Sequence, residues 1–256
     1  MKISVALCSF NGERFIAEQL NSILNQTVPV NEIIICDDGS TDKTIEILND
    51  FRTNYPEIIR VFYSNRRYGT IKNFERAISL TGGDIIMLSD QDDIWYNYKV
   101  EKIIRTLKSN PDALMVFSNG DLIDANGLKT GSTLWDMWDF PIDVRIKWKD
   151  NKIAFYNLVG NNNKVTGATV AFRKELKRHI LPIRVHPGYW HDAWLALNAA
   201  ALNGLIFIEE SLIQYRIHSD QQVGISGSIP RIKQEPNFIG SVSFSKFQRI
   251  VHNKYP

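Results

Sequence analysis

The chain has 256 residues, a length that suits one α/β domain, alone or with an appended subdomain. A charged fraction of 23% is ordinary for a globular protein, and a formal net charge of +2 gives no reason to expect nucleic acid as a partner. The sequence contains neither a signal peptide nor an apolar run of about 20 residues, so we expect a cytoplasmic protein without a membrane span. Cys8 and Cys36 each fall in an apolar run, which favours buried free thiols.

The first 112 residues alternate short apolar runs with amphipathic stretches of helical period. Strands are predicted over residues 3–7, 33–36, 59–63 and 85–88, and helices over residues 15–24, 45–51, 70–80 and 100–107. Repeated strand–helix units predict an α/β fold with a mostly parallel central sheet flanked by helices.

The regular alternation ends after residue 112. Short strands are predicted over residues 114–117, 121–124, 165–172, 205–208 and 212–217, and one helix over residues 191–202. Residues 132–150 have no clear period. No linker separates the two parts, so we predict a single domain over residues 1–225, divided near residue 112. Gly, Ser and Pro accumulate near the end of this domain and beyond it, which predicts a tail or lid over residues 226–256.

The most informative stretch is the fourth predicted strand with the acidic residues Asp90-Gln91-Asp92-Asp93 that follow it. In open α/β sheets, ligands bind beyond the carboxyl ends of the strands, which is where these carboxylates would lie. Close carboxylates repel one another unless a cation neutralises them, and oxygen ligands suit Mg²⁺ or Mn²⁺ together with substrate phosphates. We interpret the stretch as a site for a divalent metal and a diphosphate. The alternative is a solvated acidic turn that caps the next helix.

Two other predicted strands deliver polar residues to the same edge of the sheet. Ser9 and Asn11 follow the first strand, and the motif at residues 37–42, Asp-Asp-Gly-Ser-Thr-Asp, follows the second. A tight turn and a helix cap explain the Gly-Ser-Thr part of that motif. The two further carboxylates, Asp37 and Asp38, make it a candidate site for a base and a ribose. The glycine-rich loops of NAD-binding sheets and of P-loop proteins are missing from the sequence, which disfavours both classes.

Four stretches in order resemble the family 2 glycosyltransferases, which have the GT-A fold. They are Cys8-Ser9-Phe10-Asn11-Gly12, residues 19–27, residues 37–42, and Ser89-Asp90-Gln91-Asp92-Asp93-Ile94-Trp95. The last of these is most similar to bacterial rhamnosyltransferase-like members. Two later stretches resemble the same subgroup, His191-Asp192-Ala193-Trp194-Leu195 and Tyr215-Arg216-Ile217-His218.

The resemblance implies a nucleotide-sugar-binding half over residues 1–112 and an acceptor-binding half over residues 113–225. Asp192 matches the general base of inverting members, and Asp90 and Asp92 match the metal-binding Asp-x-Asp motif. Many relatives have Arg-Asn in the third helix, where this chain has Lys72-Asn73, and lysine cannot make the bidentate contact of arginine.

The candidate site residues follow from the pattern and the resemblance together. They are Ser9, Asn11, Asp37, Asp38, Lys72 and Asp90 for the nucleotide-sugar; Asp90, Asp92 and His218 for the metal; Asp192 for catalysis; and Trp95, Trp190 and His191 for the acceptor. Further candidates for an aromatic wall against the acceptor are Trp135, Trp138, Trp148 and Tyr189, for which core packing is the alternative.

The implied activity is inverting transfer of a sugar from a UDP- or dTDP-linked donor to a saccharide or lipid-linked acceptor, in surface polysaccharide synthesis. The cofactor would be Mg²⁺ or Mn²⁺, and the protein would work in the cytoplasm, with peripheral contact at the inner face of the membrane as a further expectation.

Other interpretations of the same residues stay open. The pair His191-Asp192 is also compatible with a helix N-cap, and a lone histidine such as His218 is often structural. A phosphatase of the haloacid dehalogenase type would use Asp90-x-Asp92, but Ile94 stands where that class has Thr or Val. A catalytically silent nucleotide-sugar-binding protein is the third interpretation, and the presence of Asp192 disfavours it.

Overall fold

The computed structural model describes residues 1–185, 189–219, 221, 243–245 and 247–248. Its strands are β1 (Ile3–Ser9), β2 (Glu32–Asp37), β3 (Ile59–Tyr63), β4 (Ile85–Ser89), β5 (Ile94–Trp95), β6 (Met115–Ile123), β7 (Lys129–Thr133), β8 (Ala171–Arg173) and β9 (Leu205–Arg216). Its α-helices are α1 (Ile16–Leu24), α2 (Thr44–Asn54), α3 (Thr70–Leu80), α4 (Lys99–Ser109), α5 (Leu134–Met137), α6 (Ile142–Trp148), α7 (Asn151–Val159), α8 (Lys177–Ile180) and α9 (His191–Ala201). Two 3₁₀ turns are formed by Gly167–Thr169 and Lys174–Leu176.

The first half of the chain forms the parallel part of the sheet, as predicted. The strands lie in the order β3-β2-β1-β4, and each neighbouring pair is parallel. The chain runs outward from β1 to β3 and then returns to β4 on the other side of β1. Such a reversal of strand order opens a crevice beyond the carboxyl ends, where ligands of open α/β sheets bind. Ser9 ends β1 and Asp90 follows β4, so both lie at this crevice.

The second half extends the sheet with strands of both directions. Beyond β4 come β8, β6, β9 and β5, with β7 paired to β6. β8 is antiparallel to its neighbours β4 and β6, whereas β6 and β9 are parallel. The fold class is therefore confirmed as α/β, and over the described residues the sheet is mixed.

Three predictions for the second half are wrong. Residues 114–117 and 121–124 belong to one strand, β6, and residues 205–208 and 212–217 belong to one strand, β9. The register between these two strands shifts near Ser118 and Asn119, and such irregularities disturb the alternation of apolar and polar residues from which strand limits are read. Residues 165–172 are mostly not a strand, because Thr169 bonds back to the Thr166 carbonyl and closes a 3₁₀ turn before β8.

The core lies on both faces of the parallel strands. Ile33, Ile34 and Ile35 in β2 are all fully buried, which explains why this strand reads as a continuous apolar run without alternation. α3 and α4 cover the sheet with the faces that helical periodicity predicts; their buried apolar residues are Phe74, Ala77, Ile78, Val100, Ile103, Ile104 and Leu107.

A second aromatic core corrects one sequence prediction. Trp135 and Trp148 are 4% and 1% exposed, and they pack with Phe117, Phe140 and Phe207 at centroid distances of 5.1 to 6.3 Å. Such edge-to-face aromatic packing stabilises a core, so these two tryptophans are not available as an acceptor wall.

The remaining predictions concern the end of the chain and the membrane. The predicted tail or lid at residues 226–256 lies outside the described residues apart from 243–245 and 247–248. In that segment, Phe244 and Phe247 pack on Phe155 of α7. Among the described residues, no helix has the length and apolar character needed to cross a membrane. Cys8 and Cys36 are buried free thiols at paired positions of β1 and β2.

Candidate active site

The carboxylate of Asp37 stabilises the loop that follows β2 through hydrogen bonds. It accepts hydrogen bonds from the Ser9 Oγ at 2.9 Å, from the Gly39 and Ser40 N–H groups, and from the Ser40 Oγ at 2.5 Å. Asp37 is fully buried, and Gly39 takes a φ of +83°, which favours glycine. Asp37 thus builds one wall of the crevice, and its direct contact with a base or ribose stays a prediction.

Asp38 and Asn11 bind neighbouring loops to this wall. The Asp38 carboxylate accepts hydrogen bonds from the backbone N–H groups of Tyr68 and Gly69, at 2.7 and 2.8 Å, directly before α3 begins. The Asn11 Oδ1 accepts a 2.8 Å hydrogen bond from the Thr41 N–H. These contacts set the loops after β1 and β2 and the start of α3 in fixed positions around the crevice.

A pocket of about 460 Å³ opens beside Asp38, at the end of β3 and along α3. Lys72 reaches it and is paired on the surface with Glu75. Asn73 also lines it; its Nδ2 donates to the Cys36 carbonyl, whereas its buried Oδ1 has no hydrogen-bond partner among the described residues.

Gln91, the second residue of the acidic motif, joins the loops after β4 and β1. Its Oε1 accepts from the Phe10 N–H at 2.8 Å, and its Nε2 donates to the Phe10 carbonyl at 3.1 Å. An added Cβ at Gly12 would overlap the Gln91 Oε1, so a larger residue there would displace the Gln91 side chain from Phe10. Gln91 therefore fixes the acidic motif against the first loop, a role the sequence did not indicate.

The acidic residues after β4 are held close together with limited solvation. Burial and the nearby carboxylates of Asp92 and Asp192 raise the pKa of Asp90 to about 7, and Lys99 opposes this shift. Burial, again with Asp92 and Asp90, raises the pKa of Asp93 well above its usual range. Such crowding favours a bound cation.

Asp92 and His218 meet across the crevice. The Asp92 Oδ2 lies 3.0 Å from the His218 Nε2, and both side chains are largely buried. Over the described residues, no three His, Cys, Asp or Glu side chains converge into a ligand group, so Asp90 does not join the other two in a closed cage. The arrangement fits a divalent ion of the kind that takes one or two protein ligands together with a diphosphate.

Arg216, at the end of β9, holds the acidic motif from the other side. It is 2% exposed; its Nε donates to the Asp92 carbonyl at 2.8 Å, and a terminal nitrogen donates to Glu18 at 2.5 Å. Its guanidinium lies 4.5 Å from the Phe15 ring centroid, and its backbone N–H donates to the Asp93 Oδ1. Planar, multivalent contacts of this kind are typical of arginine.

The predicted base, Asp192, stands in the first turn of α9 within electrostatic reach of Asp90. Its carboxylate accepts hydrogen bonds from the N–H groups of Ala193 and Gly167 at 2.6 and 3.1 Å, and from the Asn163 Nδ2 at 3.3 Å. Burial raises the pKa of Asp192 to about 6, although these hydrogen bonds act in the opposite direction. A carboxylate with this pKa is ionised at neutral pH and well suited to accept a proton.

The predicted acceptor residues are not brought together. Trp190 is 36% exposed, whereas Trp95 is 3% and His191 5% exposed. His191 stacks on Phe74 at 4.1 Å, neither of its ring nitrogens has a partner within the described part of the chain, and burial lowers its pKa to about 3. The geometry therefore favours only Trp190 for contact with an acceptor, because the other two present little surface. Trp138 donates instead to the Thr166 Oγ1.

Comparison with known proteins identifies the family. Residues 4–180, more than half of the chain, match the model of glycosyl transferase family 2. The chain therefore belongs to this family, which confirms the resemblance and the glycosyltransferase class of enzyme. The phosphatase interpretation of the Asp90-x-Asp92 motif is excluded by this membership.

The chain is 40% identical to a dTDP-rhamnosyl transferase of Shigella flexneri over 124 residues, which cover 47% of this chain and 40% of that protein. The chain spans less than two thirds of the length of the curated relatives it matches.

Two solved structures have a similar fold. Residues 1–349 of TarS from S. aureus, in complex with UDP-GlcNAc, have a TM-score of 0.64 at 18% identity, covering 86% of this chain and 60% of that one. The mannosyltransferase PcManGT of Pyrobaculum calidifontis, in complex with GDP-Man and Mn²⁺, has a TM-score of 0.58 at 18% identity, covering 82% and 55%. These neighbours confirm the GT-A fold.

Proposed function

We propose that the protein transfers a sugar, with inversion, from a UDP- or dTDP-linked donor to a saccharide or lipid-linked acceptor of a bacterial surface polysaccharide. The observation that carries this proposal is the buried Asp192 carboxylate, which hydrogen bonds from Gly167 and Asn163 hold within electrostatic reach of Asp90. A proton acceptor and a diphosphate site in one crevice are what direct transfer between two oxygens requires.

The nucleotide-sugar would lie across the carboxyl ends of β1, β2 and β4. The pocket beside Lys72 offers space for a base. Names of similar proteins support a pyrimidine nucleotide: the Shigella relative uses dTDP-rhamnose by its name, and TarS was solved with UDP-GlcNAc.

In the transfer step, the ionised Asp192 would take the proton from an acceptor hydroxyl as its oxygen attacks the anomeric carbon. The hydrogen bonds from Gly167 and Ala193 fix the direction of the carboxylate. Attack from the side opposite the diphosphate inverts the anomeric centre without a covalent intermediate. Positioned general bases contribute about 10²–10⁴-fold to such reactions.

Asp92 and His218, with Asp90 nearby, would hold a divalent ion, either Mg²⁺ or Mn²⁺. A bound ion would neutralise charge that builds on the departing diphosphate. Arg216 keeps Asp92 in place through its backbone carbonyl, and Gln91 keeps the motif against the first loop. The presence of Mn²⁺ in the PcManGT complex supports a divalent metal as the cofactor.

The acceptor would enter between Trp190 and the acidic motif. Trp190 presents an exposed aromatic surface one residue before α9, close in sequence to Asp192. Aromatic side chains of this kind pack on sugar rings. The proposed setting is the cytoplasm, with peripheral contact at the membrane where a lipid-linked acceptor would lie.

A thermal-shift panel tests the choice of nucleotide. We expect UDP or dTDP, with Mn²⁺, to raise the melting temperature more than GDP or ADP at equal concentration. A ligand at about 100 times its Kd adds about 2.7 kcal/mol to stability. In a chain of this size, each kcal/mol corresponds to about 2–4 °C. A larger shift with GDP or ADP would refute the pyrimidine assignment.

The pH dependence of turnover tests the base. Because transfer needs the ionised form of Asp192, kcat should be constant above its pKa of about 6 and fall about tenfold per pH unit below it. In the free protein the pKa of Asp90 is about 7, so its titration overlaps that of Asp192. The kcat must therefore be measured at saturating donor and metal, with both bound at Asp90. Unchanged kcat at pH 5 would contradict the assignment.

A further inference from the structure

Lys99 is a fully buried lysine that the proposed mechanism does not use. It is the first residue of α4, and its side chain is 0% exposed. A buried ammonium group is strongly unfavourable unless charges and hydrogen-bond acceptors surround it. The surroundings of Lys99 therefore indicate what it does.

Three kinds of partner surround the ammonium group. The Lys99 Nζ donates a 2.8 Å hydrogen bond to the Ala168 carbonyl and lies 3.8 Å from the ring centroid of Trp95. Burial lowers the pKa of Lys99 to about 7, and the nearby carboxyl groups of Asp93 and Asp90 oppose this shift. Lys99 thus contacts the 3₁₀ turn at 167–169 and stands beside the acidic motif after β4.

The same turn supports the base. Gly167, the residue before Ala168, donates its N–H to the Asp192 Oδ2 at 3.1 Å. The turn is closed by a hydrogen bond from the Val170 N–H to the Gly167 carbonyl. It has little room to adjust, because a Cβ at Gly167 would lie 2.8 Å from the His191 Nε2.

We propose that Lys99 is a positioning residue, which ties the acidic motif to the carboxylate of Asp192 through the 3₁₀ turn at 167–169. Ala168 accepts a hydrogen bond from Lys99, and the preceding Gly167 donates one to Asp192, so two successive residues of the turn connect the lysine to the base. Lys99 therefore keeps the base at a set distance from the diphosphate site. The expected effect on catalysis rests on the proposed function, whereas the structural link does not.

The kinetic test replaces Lys99 with methionine, which has a similar shape but cannot donate a hydrogen bond. We expect kcat for transfer to fall about 10- to 10²-fold, the effect of a misplaced catalytic group. The KM for the nucleotide-sugar and the affinity for UDP or dTDP should stay close to wild type. Lys99→Arg, which keeps the charge and hydrogen-bond donors, should recover part of kcat. An unchanged kcat, or a parallel loss of nucleotide affinity, would overturn the proposal.

Lys177→Met is the matched control. Lys177 is half-buried and donates a 2.8 Å hydrogen bond to the Thr81 backbone carbonyl. This contact lies near the start of β4, at the end of the strands away from the acidic motif. Its replacement should leave kcat unchanged even where it lowers the melting temperature. If both variants lose kcat alike, the effect of Lys99 is merely structural and the proposal fails.

A second measurement does not depend on activity. The Gly167 amide resonance, observed by NMR in labelled protein, should shift and its hydrogen exchange should become faster in Lys99→Met but not in Lys177→Met. An unchanged Gly167 amide would overturn the link. If wild-type protein transfers no sugar while the Gly167 amide responds, the proposed function fails and the link stands.

Lys99→Met leaves the buried carboxyl group of Asp93 without the lysine that lies within its electrostatic reach, which can lower stability. The double variant Lys99→Met with Asp93→Asn removes both charges, and asparagine can still accept the hydrogen bond that the Arg216 N–H donates to the Oδ1. The double variant should show the same loss of kcat and the same change at Gly167. Wild-type values of both would refute the proposal.

Discussion

Replacing Asp192 with asparagine is expected to slow sugar transfer by at least about 10²-fold, the lower bound for loss of a general base. Asparagine has nearly the same size, and its Oδ1 still accepts the hydrogen bond from the Ala193 N–H, but it cannot take a proton. Release of nucleoside diphosphate in the presence of acceptor measures the rate. Nucleotide affinity should stay close to wild type, whereas the melting temperature should fall modestly, because the amide nitrogen of asparagine cannot accept the hydrogen bond that the Gly167 N–H donates to the Oδ2.

Asp150→Asn is the control for a purely structural Asp192. Asp150 caps α7, and its Oδ1 accepts a 2.8 Å hydrogen bond from the Lys152 N–H. Asparagine is as good a cap as aspartate, so Asp150→Asn should keep full turnover. Trp190 is the N-cap of α9 and Asp192 lies within its first turn, so if Asp192→Asn also keeps full turnover, Asp192 only holds the Gly167 and Ala193 N–H groups. Wild-type protein without any turnover would instead favour a silent binding protein.

The configuration of the product provides an independent check on the base. Direct attack assisted by Asp192 inverts the anomeric centre, and NMR of the product distinguishes the two anomers. Retention of the donor configuration would exclude the mechanism, whatever the rate of the Asp192 variant.

Replacing Asp92 with asparagine is expected to lower turnover by about 10²-fold. A metal that neutralises the leaving group contributes several kcal/mol, and about 2.7 kcal/mol corresponds to a factor of 10². The Asp92→Asn variant would keep the backbone carbonyl that Arg216 binds, but it would lack the charge beside His218. The rate should be followed while Mn²⁺ is titrated into chelator-treated protein, and the variant should respond only weakly.

Asp84→Asn provides the comparison, because Asp84 lies at the other end of β4. Its carboxylate accepts from the Lys2 N–H and the Lys174 Nζ at the surface, away from the crevice. It should respond to Mn²⁺ as the wild type does. Full activity of chelator-treated wild-type protein would disprove the need for a metal.

The parts of the site that lie within one strand and its loop could be predicted from the sequence. Asp90 and Asp92 follow a run of buried residues, and Asp37 and Asp38 end another, so hydrophobic patterning alone places them at one edge. The four parallel strands follow from the same local signal. The pattern also predicts a metal and nucleotide site there, and the family resemblance supports this interpretation over a solvated acidic turn.

The contacts between distant parts of the chain could not be predicted. Arg216 binds the Asp92 carbonyl across 124 positions of sequence, and Lys99 binds the Ala168 carbonyl across 69. Lys99 did leave a signal: it lies four residues before Ile103, on the apolar face of α4. A lysine at such a position is buried only when paired, so the pattern indicates an internal partner without naming it.

The two tryptophans of the aromatic core show a different limit. Trp135 and Trp148 stand in a stretch with many charges and no clear period, which left an acceptor wall and core packing as alternatives. The helices α5 and α6 are only 4 and 7 residues long, too short for a periodic pattern to be visible. Trp135 also packs on Phe207 from β9, a contact that no local pattern reveals.

The position of Arg216 also limits how such a protein can be rearranged in evolution or by design. The acidic motif belongs to the first half of the chain, yet the side chain that holds it arrives on the last strand of the second half. A fragment cut at residue 112 would lose that side chain and would leave β4 with an open edge where β8 pairs. The two halves are therefore not interchangeable modules, and a chimera that exchanges acceptor halves must carry β9 through Arg216 together with the nucleotide half it supports.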